Sequence, residues 1–290
     1  MVMAAVLVAA PVLMAQAPAP AVVERNWHQW RGPYANGISK TATPPLEWSE
    51  TKNIKWKAPI PGRGSSTPVI WGDKIFVLTA VPVGVTGDAQ HAPRGGLRPR
   101  GVHKFTVLAY DRQTGKVVWE RVAREQEPHE ASHNDNGTWA SSSAVTDGEH
   151  VIASFESQGI YAYDMNGKLV WQKDLGDKRV RNEFGEGSTP TLHGKYLVVV
   201  WDHQGESFVG TPRYQVQRIE GVPNVFASPV GAAGRVYVVG REGTTAVLKD
   251  GPSFEVIATN TLDDHFDASP ALVDREMFLR GMKYLYCLAH

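Results

Sequence analysis

Cys287 is the only cysteine in 290 residues. That count excludes an intrachain disulfide and a thiolate metal site. The residue sits in the alternating apolar stretch YLYCLAH, where a thiol serves as a small buried hydrophobe. Net charge is missing too: 30 Lys and Arg offset 30 Asp and Glu. The broad electrostatic pull toward nucleic acid or an anionic membrane goes with it. No apolar run reaches the about 20 residues of a membrane-spanning helix, and no long window has helical periodicity. Neither H-E-x-x-H, a Gly-rich phosphate loop, a Ser-His-Asp order nor a carboxylate pair can be placed. What remains is a chain 42% hydrophobic, long enough for one large core or two small ones.

The first segment, residues 1–17, has the pattern of an export signal. An apolar run from Val2 to Met14 precedes Ala15-Gln16-Ala17, a small-x-small cleavage site. No Lys or Arg precedes the run. The alternative, a buried apolar helix, is disfavoured by Pro11 and the Ala-Pro stretch that follows. No cysteine follows the run, so lipid attachment there is not supported. The expectation is an exported protein, periplasmic or extracellular, with a lead segment over 18–52 and a repeat domain over 53–290.

Internal repetition organises the rest. A Ser/Thr-Pro or related step, a short apolar strand, a turn and a second apolar strand recur five times. The anchors are Pro68, Ala144, Pro190, Pro229 and Pro270. The turns fall at Gly72-Asp73, Asp147-Gly148, His193-Gly194, Ala233-Gly234 and Asp274-Arg275. Copies one and two add a third strand, another turn and a strand bearing Trp: LAYDRQTGKVVW to Trp119 and YAYDMNGKLVW to Trp171. Asp111 can bond its turn backbone and Gly115 suits a left-handed position. Asn166-Gly167 predicts a type I′ turn. Four antiparallel strands in about 40 residues predict a blade of a β-propeller. The fold expected is therefore all-β, a propeller of about five four-stranded blades. The fifth copy stops at its third strand, Tyr284 to Leu288, while NIKWKAPI from Asn53 is a strand without a sheet. Pairing the two completes the last blade and covers an exposed edge.

The phrase Ala-x-Asp-x-x-Thr-Gly-Lys-x-x-Trp resembles the repeat of pyrroloquinoline-quinone-like (PQQ-like) β-propellers. The resemblance covers nearly all of the chain after the signal. WHQWRGPYANGIS from Trp27 is similar to the N-terminal lead of exported bacterial members, a group related to the propeller subunit of the outer-membrane β-barrel assembly machinery. The resemblance implies that each Trp packs between blades, stacking on the Ala of its own motif. Trp119 would then pair with Ala109, Trp171 with Ala162, and Trp56 would serve the closing blade. It makes Ala109, Asp111, Gly115, Trp119, Ala162, Asp164, Gly167, Trp171 and Trp56 structural repeat residues. Copy three departs from the pattern: GTPRYQVQRIEG has no Ala-x-Asp, Gly-Lys or Trp. Two readings stay open, a degenerate third blade in a five-blade ring or blades lost between Phe208 and Arg218.

In a propeller the loops before the innermost strands ring one mouth of the channel. Here they carry His133, Asn134, Asp135, Asn136, Trp139, Glu183, Glu186, Asn224, Asp263, Asp264, His265 and Asp267. The candidate ligand rim is His133, Asn134, Asn136, Trp139, Glu186, Asp264 and His265, a set suited to a cation, a sugar or a peptide. No metal site is assigned. An insertion from Val85 places Arg94, Arg98, Arg100, His103 and Lys104 among Gly and Pro. It is expected to be a solvated loop, with an acidic partner as the alternative.

No catalytic constellation stands out. The expected function is a non-catalytic exported scaffold, a monomer binding a protein partner or small ligand at the propeller face, without a cofactor. The alternative is a quinoprotein-type oxidoreductase using PQQ with Ca²⁺, with Asp264 or Glu186 as base. Quinoprotein alcohol dehydrogenases resemble the chain only in the repeat, and their calcium ligands have no matching segment here.

Overall fold

A computed structural model describes residues 20–86, 97–98, 101–133, 137–180, 185–193, 196–199, 222, 225–250 and 255–289. The signal segment, Asn134, Asn136, Asp135, Glu183 and Asn224, and the Phe208–Arg218 stretch, lie outside the described residues.

The described residues form four antiparallel four-stranded sheets and two two-stranded ones. The first blade runs outward from the axis as Val69–Trp71, Lys74–Pro82, His103–Asp111 and Val117–Gln126. Its second and third strands pair along their whole length, Lys74 opposite Asp111 and Pro82 opposite His103. The second blade is Val145–Thr146, His150–Ser154, Ile160–Asp164 and Leu169–Lys173. The third contributes the hairpin Thr191–His193 with Tyr196–Val198. The fourth is Val230–Ala232, Arg235–Val239, Thr244–Lys249 and Val256–Thr261.

In the last sheet Ala271–Val273, Glu276–Arg280 and Tyr284–Leu288 are joined by Ile54–Pro59 at the outer edge. Trp56 lies opposite Cys287 and Pro59 opposite Tyr284. The orphan strand therefore completes the last blade as its sequence implied. Cys287 is fully buried there, and burial pushes its thiol well above the ordinary range.

Middle strands read as unbroken apolar runs because neighbouring sheets cover both of their faces. Ile75, Phe76, Val77 and Leu78 have no exposed surface. Blades meet near the axis through hydroxyls accepting backbone N–H groups. Thr67 N donates to Ser143 Oγ at 2.9 Å, Ser143 N to Thr189 Oγ1 at 3.0 Å, and Ser228 N to Ser269 Oγ at 2.9 Å. The buried guanidinium of Arg280 ties the last blade to the first, donating from Nη1 to Ser66 Oγ and Leu78 O, both at 2.6 Å. Burial lowers its pKa to about 9.

The outer turns differ from expectation in one detail. Gly167 has φ +81° while Asn166 stays at negative φ, so the turn is not type I′. Asp164 Oδ1 accepts from Asn166 N and Lys168 N, both at 2.9 Å, and the register shifts between Ala162 and Tyr163. The Asp side chain favours a wider turn with a bulge over a two-residue one. Asp111 does the same, accepting from Gln113 N and Thr114 N.

Each such turn receives the Trp of the preceding blade. Trp56 Nε1 donates to Arg112 O at 2.9 Å, and a Cβ on Gly115 would come within 2.5 Å of its ring. Trp119 Nε1 donates to Met165 O at 3.1 Å, and a Cβ on Gly167 would come within 2.8 Å of its ring. Ala109 faces Trp119 and Ala162 faces Trp171 across their own sheets. The two covered rings lie against the next blade's glycine. Trp171 differs: it is 39% exposed. The sequence that follows holds no third Asp-to-Gly-Lys turn to cover it.

The lead segment crosses the opposite end of the axis. Trp27 is fully buried and pairs with Ile70, His28 O accepts from Thr146 N, Ser39 N donates to Gly231 O, and Thr43 N to Asp274 O. It thus touches the first, second, fourth and last blades in turn. The insertion after Val85 is not wholly a free loop: Leu97–Arg98 pairs with Ser132–His133 of the second insertion. His103 is buried against Trp139, with ring centroids 4.4 Å apart.

Candidate functional site

The axis holds a cavity of ≈ 370 Å³ lined by every blade. Ser65, Thr67, Ser141, Ser143, Ser188, Thr189, Thr191, Ser228 and Ser269 face it, with Asp267 and Phe226 toward the rim and Trp30 of the lead segment. These hydroxyls come from the Ser/Thr-Pro steps of the repeat, so the phrase that starts each blade also makes the wall polar. Phe226 is 49% exposed, its neighbour Val225 is 41% exposed, and the guanidinium of Arg241 lies 4.0 Å over the Phe226 ring.

The structure divides the described rim residues between two places, one beside the last blade and one around the second insertion and the third blade. Asp264 and His265 stand beside the last blade. The Asp264 carboxylate accepts backbone N–H bonds from His265, Met282, Lys283 and Tyr284. Burial raises its pKa against the pull of those bonds. This carboxylate caps the turn at Gly281, where a Cβ would strike it at 2.2 Å. That role leaves it poorly placed to act as a base. Asp267 is held by Arg241 Nε at 2.6 Å, and His265 Nε2 lies 3.4 Å away. Burial opposes ionisation of Asp267, but the neighbouring His265 imidazole and the Arg241 bond outweigh it and hold the carboxyl below its ordinary value.

Glu186 lies between the second and third blades. Ser157 donates to it twice, from N at 2.9 Å and Oγ at 2.6 Å. Burial pushes its pKa up, those bonds pull it down, and nearby Glu156 raises it further. The neighbourhood is a small cavity of ≈ 20 Å³, the space of a single water, lined by His129, Trp139, Ser142, Glu156 and Glu186 among others. Trp139 Nε1 donates to Glu130 O at 3.1 Å. His133 sits in the small strand paired with Leu97. His133 and Trp139 are therefore placed near the second insertion, apart from Asp264 and His265.

Sequence reasoning missed the core of this cluster. Glu156 is 4% exposed at φ +55°, a conformation rare for a side-chain-bearing residue. Its carboxylate pairs with Lys178 Nζ at 2.5 Å and accepts from Ser142 Oγ. The available signal was the polar triplet Glu156-Ser157-Gln158, set between two apolar strands where a tight turn was due. An ion pair so enclosed holds two segments of the chain together. Among the described residues, no three His, Cys, Asp or Glu side chains converge to hold a metal ion. Nor is any described helix long and apolar enough to cross a membrane.

Among solved structures, BamB from Moraxella catarrhalis aligns at 11% identity over 80% of this chain and 85% of its own, with a TM-score of 0.32. A europium-containing methanol dehydrogenase aligns at 15% identity over 56% of this chain and 33% of its own, with a TM-score of 0.27. No curated protein matches. The family described as outer membrane protein assembly factor BamB, built of PQQ-like repeats, matches residues 45–212, more than half of the chain. The chain belongs to that family.

Proposed function

We propose that the protein is an exported β-propeller scaffold that binds a protein partner through the loops around its channel mouth, and that it serves in outer membrane protein assembly as its family's description implies. The observation that carries this reading is the rim itself. Glu186, Asp264 and Asp267 are occupied by internal donors, while Val225 and Phe226 stand exposed. Exposed apolar and aromatic groups beside engaged charges favour docking over proton transfer.

The test is site-directed photo-crosslinking in the cell envelope. A benzophenone side chain at position 226 is expected to capture a defined partner, and one at the exposed position 118 on the outer circumference is not. Equal capture from both positions, or none from 226, would overturn the reading. So would turnover of an alcohol or sugar with a quinone acceptor by the purified protein.

PQQ with Ca²⁺ is the alternative cofactor and is tested separately. A ligand at about 100 times its Kd stabilises a protein by roughly 2.7 kcal/mol. The expected result is no shift in Tm or quinone absorbance at tens of micromolar PQQ.

A further inference from the structure

Trp56, Trp119 and Trp171 hold equivalent places on the outer strands of their sheets. Two of them show what this position is built to receive. Each ring lies on a glycine at positive φ, Gly115 or Gly167, and its indole N–H donates to a carbonyl two or three residues earlier in the same turn. Arg121, two residues beyond Trp119, adds a bond from Nε to Gly167 O at 2.6 Å. At the third position no such turn stands over the ring among the described residues. Trp171 is 39% exposed against 6% for Trp119, and every residue from Leu169 to Lys173 is exposed. Lys173 stands where Arg121 stands in the preceding blade.

We propose that Trp171 and Lys173 form a docking point for a glycine-bearing turn of the Asp-to-Gly-Lys kind, carried by a different protein of the same repeat class. The occupant's chemistry follows from the two filled junctions. It must present a glycine, because a Cβ there would lie 2.5–2.8 Å from the ring. It must offer a carbonyl to the indole N–H and a second one to the lysine. A second copy of this chain does not meet the need, since its two such turns already hold Trp56 and Trp119. The surface lies on the outer circumference, apart from the channel mouth, and does not depend on the rim reading.

The probe is a cyclised hairpin peptide carrying residues 107–117, which presents the Asp111–Lys116 turn, added to the full chain labelled with 5-fluorotryptophan. The Trp171 fluorine resonance is identified by its loss in Trp171→Phe. The peptide is expected to shift that resonance and to bind at least tenfold more weakly to Trp171→Ala. A peptide with valine in place of the glycine is expected not to bind. Three results would overturn the proposal: an unmoved Trp171 resonance, equal binding of both peptides, or a Trp171 shielded from a soluble paramagnetic agent in the free chain. The last would mean that the chain covers the ring itself.

Discussion

Trp119→Ala removes an indole that is only 6% exposed and sits against Gly167. Truncating a buried aromatic costs about 3–5 kcal/mol. The loss includes the bond to Met165 O. Gly167→Ala attacks the same junction from the other side. At φ +81° the backbone disfavours any L side chain, and the new Cβ would fall 2.8 Å from Trp119 Cδ2. The conformation alone costs about 1–2 kcal/mol, and the ring must shift as well. Without the ring only the conformational part remains. The double variant should therefore be less destabilised than the two single losses added together, by about 0.5–3 kcal/mol as for other contacting pairs. Trp171→Ala is the control, expected within about 0.5 kcal/mol of the parent, as for most surface positions. Urea unfolding followed by circular dichroism reads all four variants. Strict additivity, or a Trp171→Ala loss equal to that of Trp119→Ala, would refute the idea that blades are joined by Trp-on-glycine contacts.

Other residues give independent checks. Burial holds the His28 imidazole near a pKa of about 4 against an ordinary 6.5. The unfolded chain then binds more protons between those values. Stability should be full above pH 6.5 and fall by about 3 kcal/mol as pH drops to 4, and His28→Phe should flatten that part of the urea-midpoint profile. Lys178→Met leaves the Glu156 carboxylate buried without its partner. A loss of about 3–5 kcal/mol is expected, with much of it recovered in Lys178→Met/Glu156→Leu, as measured by thermal melting. Asp264→Ala strands backbone donors at the Gly281 turn, each such buried group costing about 1–3 kcal/mol. Hydrogen exchange at Met282 to Tyr284 should accelerate in that variant while the second blade is unchanged.

Much of the architecture was legible because each blade repeats its own grammar. The Ser/Thr-Pro step, the turn and the Trp strand recur at intervals that only tandem sheets explain, and the orphan strand at Trp56 had one vacancy to fill. The docking of each Trp was less legible. The resemblance to PQQ-like repeats implied Ala109 opposite Trp119, which the sheet register bears out, but the contact with Gly167 crosses to another sheet and no spacing within one repeat announces it. The rim was harder still. Asp264 and Glu186 were visible as acids in loops, yet what occupies an acid depends on donors far away in sequence, such as Tyr284 N for Asp264. Glu156 escaped notice because a buried carboxylate looks out of place until Lys178 is brought beside it. Asn166-Gly167 misled for a local reason: Asp164 binds the turn backbone and selects a wider turn than the dipeptide alone favours.

The pairing of Ile54–Pro59 with Tyr284–Leu288 has a bearing on how the molecule is made. The early strand leaves the ribosome without its neighbour, and at about 5–20 residues per second that neighbour emerges roughly ten seconds later or more. During that interval a strand edge with unpaired backbone N–H and C=O groups stands ready to pair with whatever it meets. Nascent chains of this protein therefore need either rapid protection of the segment around Trp56 or passage in an unfolded form until synthesis ends.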